Sequence, residues 1–246
     1  MRNIKLTIEY DGKEFNGWQR QPNKLNIQGN IEQAIKNVTG EEVDLTASGR
    51  TDAGVHAYGQ VANFKTNSNI PIEKIPIALN TNLKKSIRII SAEEVDERFH
   101  SRLTCKRKTY RYVINNSEFA SAIYRNLETH IPQKLNVEKM KEAVKYFEGE
   151  HDFKAFKASG TSSKSSVRTI YKAEVYEMPN NRIYIEITGN GFLYNMVRII
   201  AGTLVEVGLE KIKPQEIKEI IDSKDRKRAG KTLPPNGLYL LKVEYN

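Results

Sequence analysis

The sequence contains a single cysteine among 246 residues, Cys105, and only four histidines, which are scattered along the chain. A lone cysteine excludes an internal disulfide framework. Scattered histidines without a second cysteine do not provide the ligand spacing of a zinc site. We therefore expect neither a disulfide-stapled fold nor a structural metal.

Long apolar runs are also missing. No stretch approaches the roughly 20 consecutive apolar residues that a membrane-spanning helix needs. The N-terminal residues alternate between apolar and polar types instead of forming the apolar segment of a signal peptide. These absences predict a cytoplasmic protein without a membrane segment.

Three common catalytic motifs are incomplete or absent. The stretch AGKT at 229–232 resembles the end of a phosphate-binding loop, but that motif requires glycine where Asp225 stands. The stretch GNGFLY at 189–194 has Tyr194 where a dinucleotide-binding turn requires its third glycine. No Gly-x-Ser-x-Gly sequence occurs. The sequence therefore does not indicate a nucleotide-dependent enzyme or a serine hydrolase.

Positive charge is in excess and is grouped. Lysine and arginine total 39 against 30 aspartates and glutamates, for a net charge of +9. Ser101–Tyr112 holds five basic residues and no acid, and Asp222–Lys231 holds five basic residues and two acids. Such blocks suit a polyanionic partner such as nucleic acid, although solvated surface charges would look the same.

The hydrophobic pattern predicts six elements in the first hundred residues. Ile4, Leu6 and Ile8 alternate with polar residues, as in a strand with one buried face. Apolar residues recur at helical spacing from Asn26 until Gly40, a typical helix-ending residue. The predicted order is strand 4–10, helix 26–40, strand 43–47, strand 60–65, helix 71–83 and strand 87–95. This order is that of a ferredoxin-like fold.

The second half repeats the order, with an extra helix at 214–223. Its predicted elements are strand 106–114, helix 137–147, strands 170–178 and 182–189, helix 192–207 and strand 238–244. We therefore predict an α+β protein of two ferredoxin-like (βαββαβ) halves whose sheets meet around a central basic cleft. The predicted domains are residues 1–103 and 104–246. The segment Ser159–Ser166 has the composition of a mobile loop.

The sequence SGRTDAGVHAY at Ser48–Tyr58 presents charged residues among small ones. Its glycines allow close approach of a ligand to a loop between two strands. Arg50 would hold the carboxylate of Asp52 ionised by charge pairing, and an oriented, ionised carboxylate can act as nucleophile or base. A surface turn with an exposed ion pair would have the same residues.

Arg198 lies in the middle of an apolar helix, where a charged side chain needs a partner or a cleft. It shares a helical stripe with Asn195 and Gly202, and the small Gly202 would leave room for that partner. Asp52 is the candidate partner. A snorkelling surface arginine is the alternative.

The strand KRKTYRYVI places Lys106, Lys108, Tyr110 and Tyr112 on one face by alternation. Cations beside aromatic rings are typical of a surface that binds phosphates and stacks an unpaired base. Tyr112 is more simply interpreted as a core residue, whereas Tyr110 is the candidate stacking residue.

These segments resemble the TruA family of tRNA pseudouridine synthases along the whole chain. The similar segments are GRTDAGVHA (Gly49–Ala57), YDGKEFNGWQRQ (Tyr10–Gln21), RFHSR (Arg98–Arg102), KTYRYVI (Lys108–Ile114), MVRIIAG (Met196–Gly202) and GLYLLKVEY (Gly237–Tyr245). The first of them is highly specific.

The resemblance implies an enzyme that converts uridine to pseudouridine at positions 38, 39 and 40 of the tRNA anticodon stem-loop. It implies no cofactor or metal, and a homodimer that binds tRNA. Asp52 would be the nucleophile, whether it attacks C6 of the base or C1′ of the sugar or assists elimination. Arg198 would pair with Asp52, and Arg50 would contact RNA or help open the base stack. Tyr110 would stack on the base and assist proton removal from C5. His56 is interpreted as structural rather than catalytic.

Two other functions fit the same residues. A non-catalytic RNA-binding module could present similar basic and aromatic faces on ferredoxin-like sheets. In that case Asp52 would be dispensable. An RNA hydrolase that uses Asp52 would instead cut the strand or release free uracil.

Overall fold

The computed structural model describes residues 1–160 and 165–245, and it divides into two compact units. The first unit comprises Met1–Lys106 and Tyr239–Asn246, and the second comprises Arg107–Leu238. Residues 161–164, which form half of the predicted serine-rich loop, lie outside the described residues. Within the part described, no helix is long and apolar enough to cross a membrane.

Strands and helices occur in both units. The strands are β1 (Arg2–Tyr10), β2 (Thr46–Ala47), β3 (His56–Thr66), β4 (Ile87–Val95), β5 (Arg107–Asn115), β6 (Thr129–His130), β7 (Gly149–Asp152), β8 (Val167–Met178), β9 (Arg182–Gly189) and β10 (Leu238–Glu244). The α-helices are α1 (Ile27–Thr39), α2 (Ile75–Asn82), α3 (Val137–Val144), α4 (Met196–Gly208) and α5 (Glu216–Ser223). Short 3-10 helices cover Gly12–Glu14, Ile72–Lys74, Lys145–Phe147, Phe153–Phe156 and Pro235–Gly237. The chain is therefore a mixed α and β protein, as the hydrophobic pattern predicts.

In the first unit the strands pair in the order β4, β1, β3, β10, and β2 also pairs with β3. The alternating residues Ile4, Leu6 and Ile8 of β1 are fully buried, which confirms the predicted strand. The predicted first helix is confirmed as α1. Asn26 caps it by accepting the Gly29 N–H at 2.8 Å, and Gly40 ends it with a left-handed φ of 78°.

The pairing of β1 with β3 contains a bulge. Ile8 pairs with Gln60, but Tyr10, two residues further along β1, pairs with Ala57. The extra residue in β3 changes which side chains face each side of the sheet. Ala57 therefore faces the same side as Tyr10, and its neighbours His56 and Tyr58 face the opposite side.

In the second unit the strands pair in the order β5, β9, β8, β7, and β6 also pairs with β5. The two-residue strand β6 and the strand β7 were not predicted. The predicted helix 192–207 begins later, at Met196, because Asn195 has a left-handed backbone with φ of 60°.

Helix α4 packs against the segment that contains the AGKT sequence. A Cβ atom on Gly202 would lie 1.9 Å from the carbonyl oxygen of Lys231, and one on Gly230 would lie 2.6 Å from the backbone nitrogen of Thr203. The Gly230 N–H also donates to Thr203 Oγ1 at 2.9 Å. Glycine is therefore required at both positions for this contact between backbones.

The last strand groups differently from the predicted domains. The division into residues 1–103 and 104–246 assigns residues 239–246 to the second domain, whereas the structure groups them with the first unit. The reason is the parallel pairing of Tyr239 with His56 and of Leu240 with Ala57. Sequence order alone does not reveal such a return of the chain.

We predict that Gly202→Ala destabilises the protein, although alanine is ordinarily favoured over glycine inside a helix by about 1 kcal/mol. The added methyl group would overlap the Lys231 carbonyl, and such overpacking costs about 1–3 kcal/mol. Urea unfolding measures the change in the free energy of unfolding. An increase in stability would contradict the contact described here.

Candidate active site

Asp52 lies in the loop between β2 and β3. Its side chain is half-buried, and its carbonyl accepts the Val55 N–H at 3.2 Å in a turn that contains Gly54, whose φ is 78°. Arg50 is exposed. The pairing of Arg50 with Asp52 stays a prediction.

Two glycines that follow β1 hold this loop by close contact. A Cβ atom on Gly17, whose φ is 86°, would lie 2.6 Å from the Thr51 carbonyl oxygen, and one on Gly12 would lie 1.9 Å from that of Val55. The Trp18 N–H donates to the Thr51 carbonyl at 3.0 Å. The segment 12–18 therefore contacts the backbone on both sides of Asp52. The sequence analysis did not assign a supporting role to Gly12 and Gly17. The available signal was that both glycines lie in Tyr10–Gln21, a segment that resembles the family.

A buried hydrogen-bond network holds the loop from its β3 side. The hydroxyls of Tyr10 and Thr51 are hydrogen-bonded at 2.7 Å. Gln60 donates to the Gly49 carbonyl at 2.9 Å and accepts from the Ser48 hydroxyl at 2.7 Å. Burial raises the pKa of the Tyr10 hydroxyl above its ordinary value, because burial disfavours the charged form. Sequence reasoning missed Tyr10, Gln60 and Ser48 as supports of the loop.

His56 is buried at the start of β3. Its Nδ1 accepts the Gly12 N–H at 3.1 Å, and its ring stacks on Tyr239 with the centroids 4.8 Å apart. These contacts tie the end of β1 to β3 and β10, which fits the interpretation of His56 as a structural residue.

The candidate stacking residue Tyr110 lies on β5 in the second unit. It is 9% exposed, and its ring meets the edge of Phe192 with the centroids 5.0 Å apart and the planes at 79°. Phe192 therefore limits the orientations of the Tyr110 ring. Lys108 and Tyr112 share its strand face by alternation, and Lys108 is half-buried.

The remaining two residues of that predicted face behave differently. Lys106 is exposed and precedes β5, and its N–H donates to the Glu244 carbonyl of the first unit at 2.9 Å. It is therefore not carried on the face of β5. Tyr112 is fully buried and donates to the Pro234 carbonyl at 2.7 Å, and burial raises its pKa. The interpretation of Tyr112 as core is confirmed.

Arg198 is half-buried on α4 with a fixed orientation. Its Nη1 donates to Asn195 Oδ1 at 2.6 Å and its Nε donates to the Leu233 carbonyl at 2.7 Å. The left-handed backbone of Asn195 precedes the helix and carries this oxygen. The space beside Gly202 is filled by the Lys231 backbone, so the prediction that Gly202 leaves room for a partner of Arg198 is wrong.

The basic stretch Lys224–Lys231 is partly used to hold the second unit together. Arg226 donates to the carbonyls of Ala229 and Gly230 at 3.2 and 2.9 Å. Lys224 forms an ion pair with Asp152 at 3.1 Å, and Arg228 forms one with Glu219 at 3.3 Å. The number of basic residues in Lys224–Lys231 is therefore larger than the number of cations that this stretch can offer to a polyanion.

Comparisons with known proteins agree across the chain. A family model described as tRNA pseudouridine synthase matches residues 6–103 and 143–246. The protein named tRNA pseudouridine synthase A of Thermoanaerobacter sp. (strain X514) is 53% identical over 245 residues, covering 100% of both chains. The one named tRNA pseudouridine synthase A 2 of Clostridium perfringens (strain 13 / Type A) is 56% identical, also covering 100% of both.

A solved structure described as a Cbf5-Nop10-Gar1 complex also matches. It is 12% identical, with a TM-score of 0.37, and the match covers 96% of this chain and 57% of that one. So weak a likeness carries no argument about this chain.

We predict that Tyr10→Phe destabilises the protein by about 1–2 kcal/mol, because it leaves the buried Thr51 hydroxyl without its partner at 2.7 Å. Chemical denaturation measures the change. Tyr124→Phe is the matched control, since Tyr124 is 45% exposed and its loss of a hydroxyl should change stability by less than about 0.5 kcal/mol. Equal effects of the two variants would contradict the supporting role of Tyr10.

Proposed function

Because this chain belongs to the tRNA pseudouridine synthase family, we propose that it converts uridine to pseudouridine at positions 38, 39 and 40 of the tRNA anticodon stem-loop. The reaction is an isomerisation, and the enzyme is an RNA-modifying isomerase. The bond from N1 to C1′ breaks and the bond from C5 to C1′ forms. The hydrogen on C5 leaves as a proton and N1 gains one, so the composition of the RNA is unchanged.

Asp52 is the proposed nucleophile. The observation that carries this proposal is a half-buried carboxylate on a loop whose backbone is held by Gly12, Gly17 and the Tyr10 hydrogen bond. A carboxylate held in one position reacts without first losing conformational freedom. Attack on C6, attack on C1′ and assisted elimination at the sugar all require this carboxylate beside the target uridine.

Tyr110 and Arg198 are the other proposed catalytic residues. Tyr110 stacks on the target base and assists removal of the proton from C5, and its contact with Phe192 supports a fixed ring orientation. Arg198 pairs with Asp52, and its bonds to Asn195 and Leu233 support a fixed guanidinium. Arg198 and Asp52 belong to different units, so the pairing of these two residues stays a prediction.

RNA binding is assigned to exposed and half-exposed cations. Arg50 contacts the RNA, and its exposure supports this role. Lys106 and Lys108 bind phosphates, which needs only positive charge near the backbone of the RNA. Removing a base from a stem costs roughly a few kcal/mol. Stacking on Tyr110 and the contacts of these cations with the RNA together offset that cost.

The finer fold and the assembly are part of the same proposal. We infer ferredoxin-like halves, and the order β1, α1, β2, β3, α2, β4 in the first unit, with β4, β1, β3 and β2 as successive neighbours, supports this. The basic cleft between the halves stays a prediction. We also propose a homodimer that acts on tRNA without a cofactor, as the family resemblance implies, and a cytoplasmic location, as the lack of long apolar runs predicts.

We predict that Asp52→Asn lowers pseudouridine formation by at least about a thousandfold, because the amide cannot act as the nucleophile. Binding of tRNA should stay within about threefold, since the phosphate contacts remain. Chemical mapping of pseudouridine in tRNA and a filter-binding assay measure the two quantities. Asp44→Asn, at an exposed aspartate of the same unit, is the control and should be fully active.

Turnover by Asp52→Asn at the wild-type rate would contradict the proposal and favour an RNA-binding module. Cleaved RNA or free uracil produced by the wild-type protein would indicate a hydrolase instead.

We predict that Arg198→Ala lowers kcat/KM by about 30- to 1,000-fold, because it removes the cation that orients the Asp52 carboxylate. Millimolar guanidinium should restore part of the rate. Arg228→Ala removes a different arginine of the second unit, whose partner Glu219 is exposed, and controls for general loss of charge. Wild-type kcat/KM in folded Arg198→Ala would exclude the pairing.

A further inference from the structure

Three aromatic rings stack in the first unit. The ring of Tyr239 lies between His56 and Tyr58, with centroid distances of 4.8 and 5.3 Å and interplanar angles of 23° and 13°. His56 and Tyr239 are 2% and 7% exposed, whereas Tyr58, at the outer end of the stack, is 51% exposed. The stack therefore presents one ring to solvent and supports it with two buried rings.

The positions of these rings follow from the pairing of two strands. Alternation along β3 places His56 and Tyr58 on the side of the sheet opposite Ala57. Strand β10 runs beside β3 with Tyr239 opposite His56. A Cβ atom on Gly59 would lie 2.5 Å from the Leu241 carbonyl oxygen, so glycine at this position allows β10 to approach closely enough for Tyr239 to enter the stack.

An exposed tyrosine side chain usually adopts several orientations. Fixing it in one orientation when a ligand binds costs conformational entropy. Tyr58 is already ordered by its contact with Tyr239. A rigid aromatic face is therefore suited to stack a planar ligand, and every nucleic-acid base offers such a face.

The position of Tyr58 connects this face with the proposed reaction. Tyr58 follows Asp52 by six residues, which span at most about 20 Å even when extended. This length corresponds to about six stacked bases at 3.4 Å each, so one stem-loop can reach both residues. The exposed cation Arg50 belongs to the same segment.

We propose that Tyr58, supported by Tyr239 and His56, forms a stacking site for an unpaired base of the RNA substrate. The site is separate from Tyr110, which acts on the target base. This inference rests on the proposed function for the identity of the ligand, and it assigns a residue that contacts the RNA away from the reacting uridine.

The test compares tRNA binding by the wild type, Tyr58→Ala and Tyr58→Phe, measured by fluorescence anisotropy. Loss of the ring in Tyr58→Ala should raise Kd by about 5- to 20-fold, below the full value of a stack because Tyr239 becomes the outer ring. Tyr58→Phe keeps the ring and should bind within about twofold of the wild type. Phe119→Ala, which removes a 76% exposed aromatic side chain from the second unit, should not change Kd.

A second measurement distinguishes stacking from charge. The slope of log Kd against log salt concentration should be the same for the wild type and Tyr58→Ala, because no phosphate contact is removed. Anticodon stem-loops with a single abasic nucleotide then identify the partner base. The abasic site that weakens binding to the wild type, but does not weaken binding to Tyr58→Ala any further, marks the stacked position.

The proposal would be overturned if Tyr58→Ala bound tRNA with the affinity of the wild type. It would also be overturned if Tyr58→Phe lost as much affinity for tRNA as Tyr58→Ala. A change in sedimentation coefficient of Tyr58→Ala without RNA would assign the ring to a contact between two copies of the chain and would also overturn it. Failure of the wild type to form pseudouridine would refute the proposed function, whereas the comparison of Kd values would still decide whether Tyr58 stacks a base.

Discussion

The contact of two glycines with the Asp52 loop is the constraint on which the proposed chemistry depends. Gly12 and Gly17 bring the chain after β1 against the backbone on both sides of Asp52 at distances that no Cβ atom allows. The buried bond from Tyr10 to Thr51 fixes the same loop from another direction. A short loop of small residues has little packing of its own, so its shape must come from the elements around it.

The second unit also depends on close contacts between backbones at glycine residues. Gly202 and Gly230 let α4 touch the segment 229–233, and the Leu233 carbonyl in that segment accepts from Arg198. The guanidinium is therefore oriented by packing between backbones as well as by Asn195. Arg226 holds the same segment, which explains why a stretch that counts as basic is only partly available to RNA.

The aromatic residues divide into supporting and exposed groups. Tyr10 and Tyr112 are buried, and their hydroxyls have raised pKa values because burial disfavours the charged form. Tyr58 carries the same side chain but presents its ring to solvent at the end of an ordered stack. The surroundings of each ring, and not its residue type, determine which of the two roles it has.

The sequence by itself determined the class of fold, most helices and strands, and the family, because hydrophobic period, helix caps and specific motifs are local properties. It also singled out Asp52, Tyr110 and Arg198 as candidates for catalysis. Only the tertiary structure decided that the Lys231 backbone fills the space at Gly202 and that β10 returns to the first unit. Each of these depends on residues far apart in the chain whose distance no local pattern contains. The close contacts at glycine are the clearest case, since a glycine in the sequence signals available space but not which segment will occupy it.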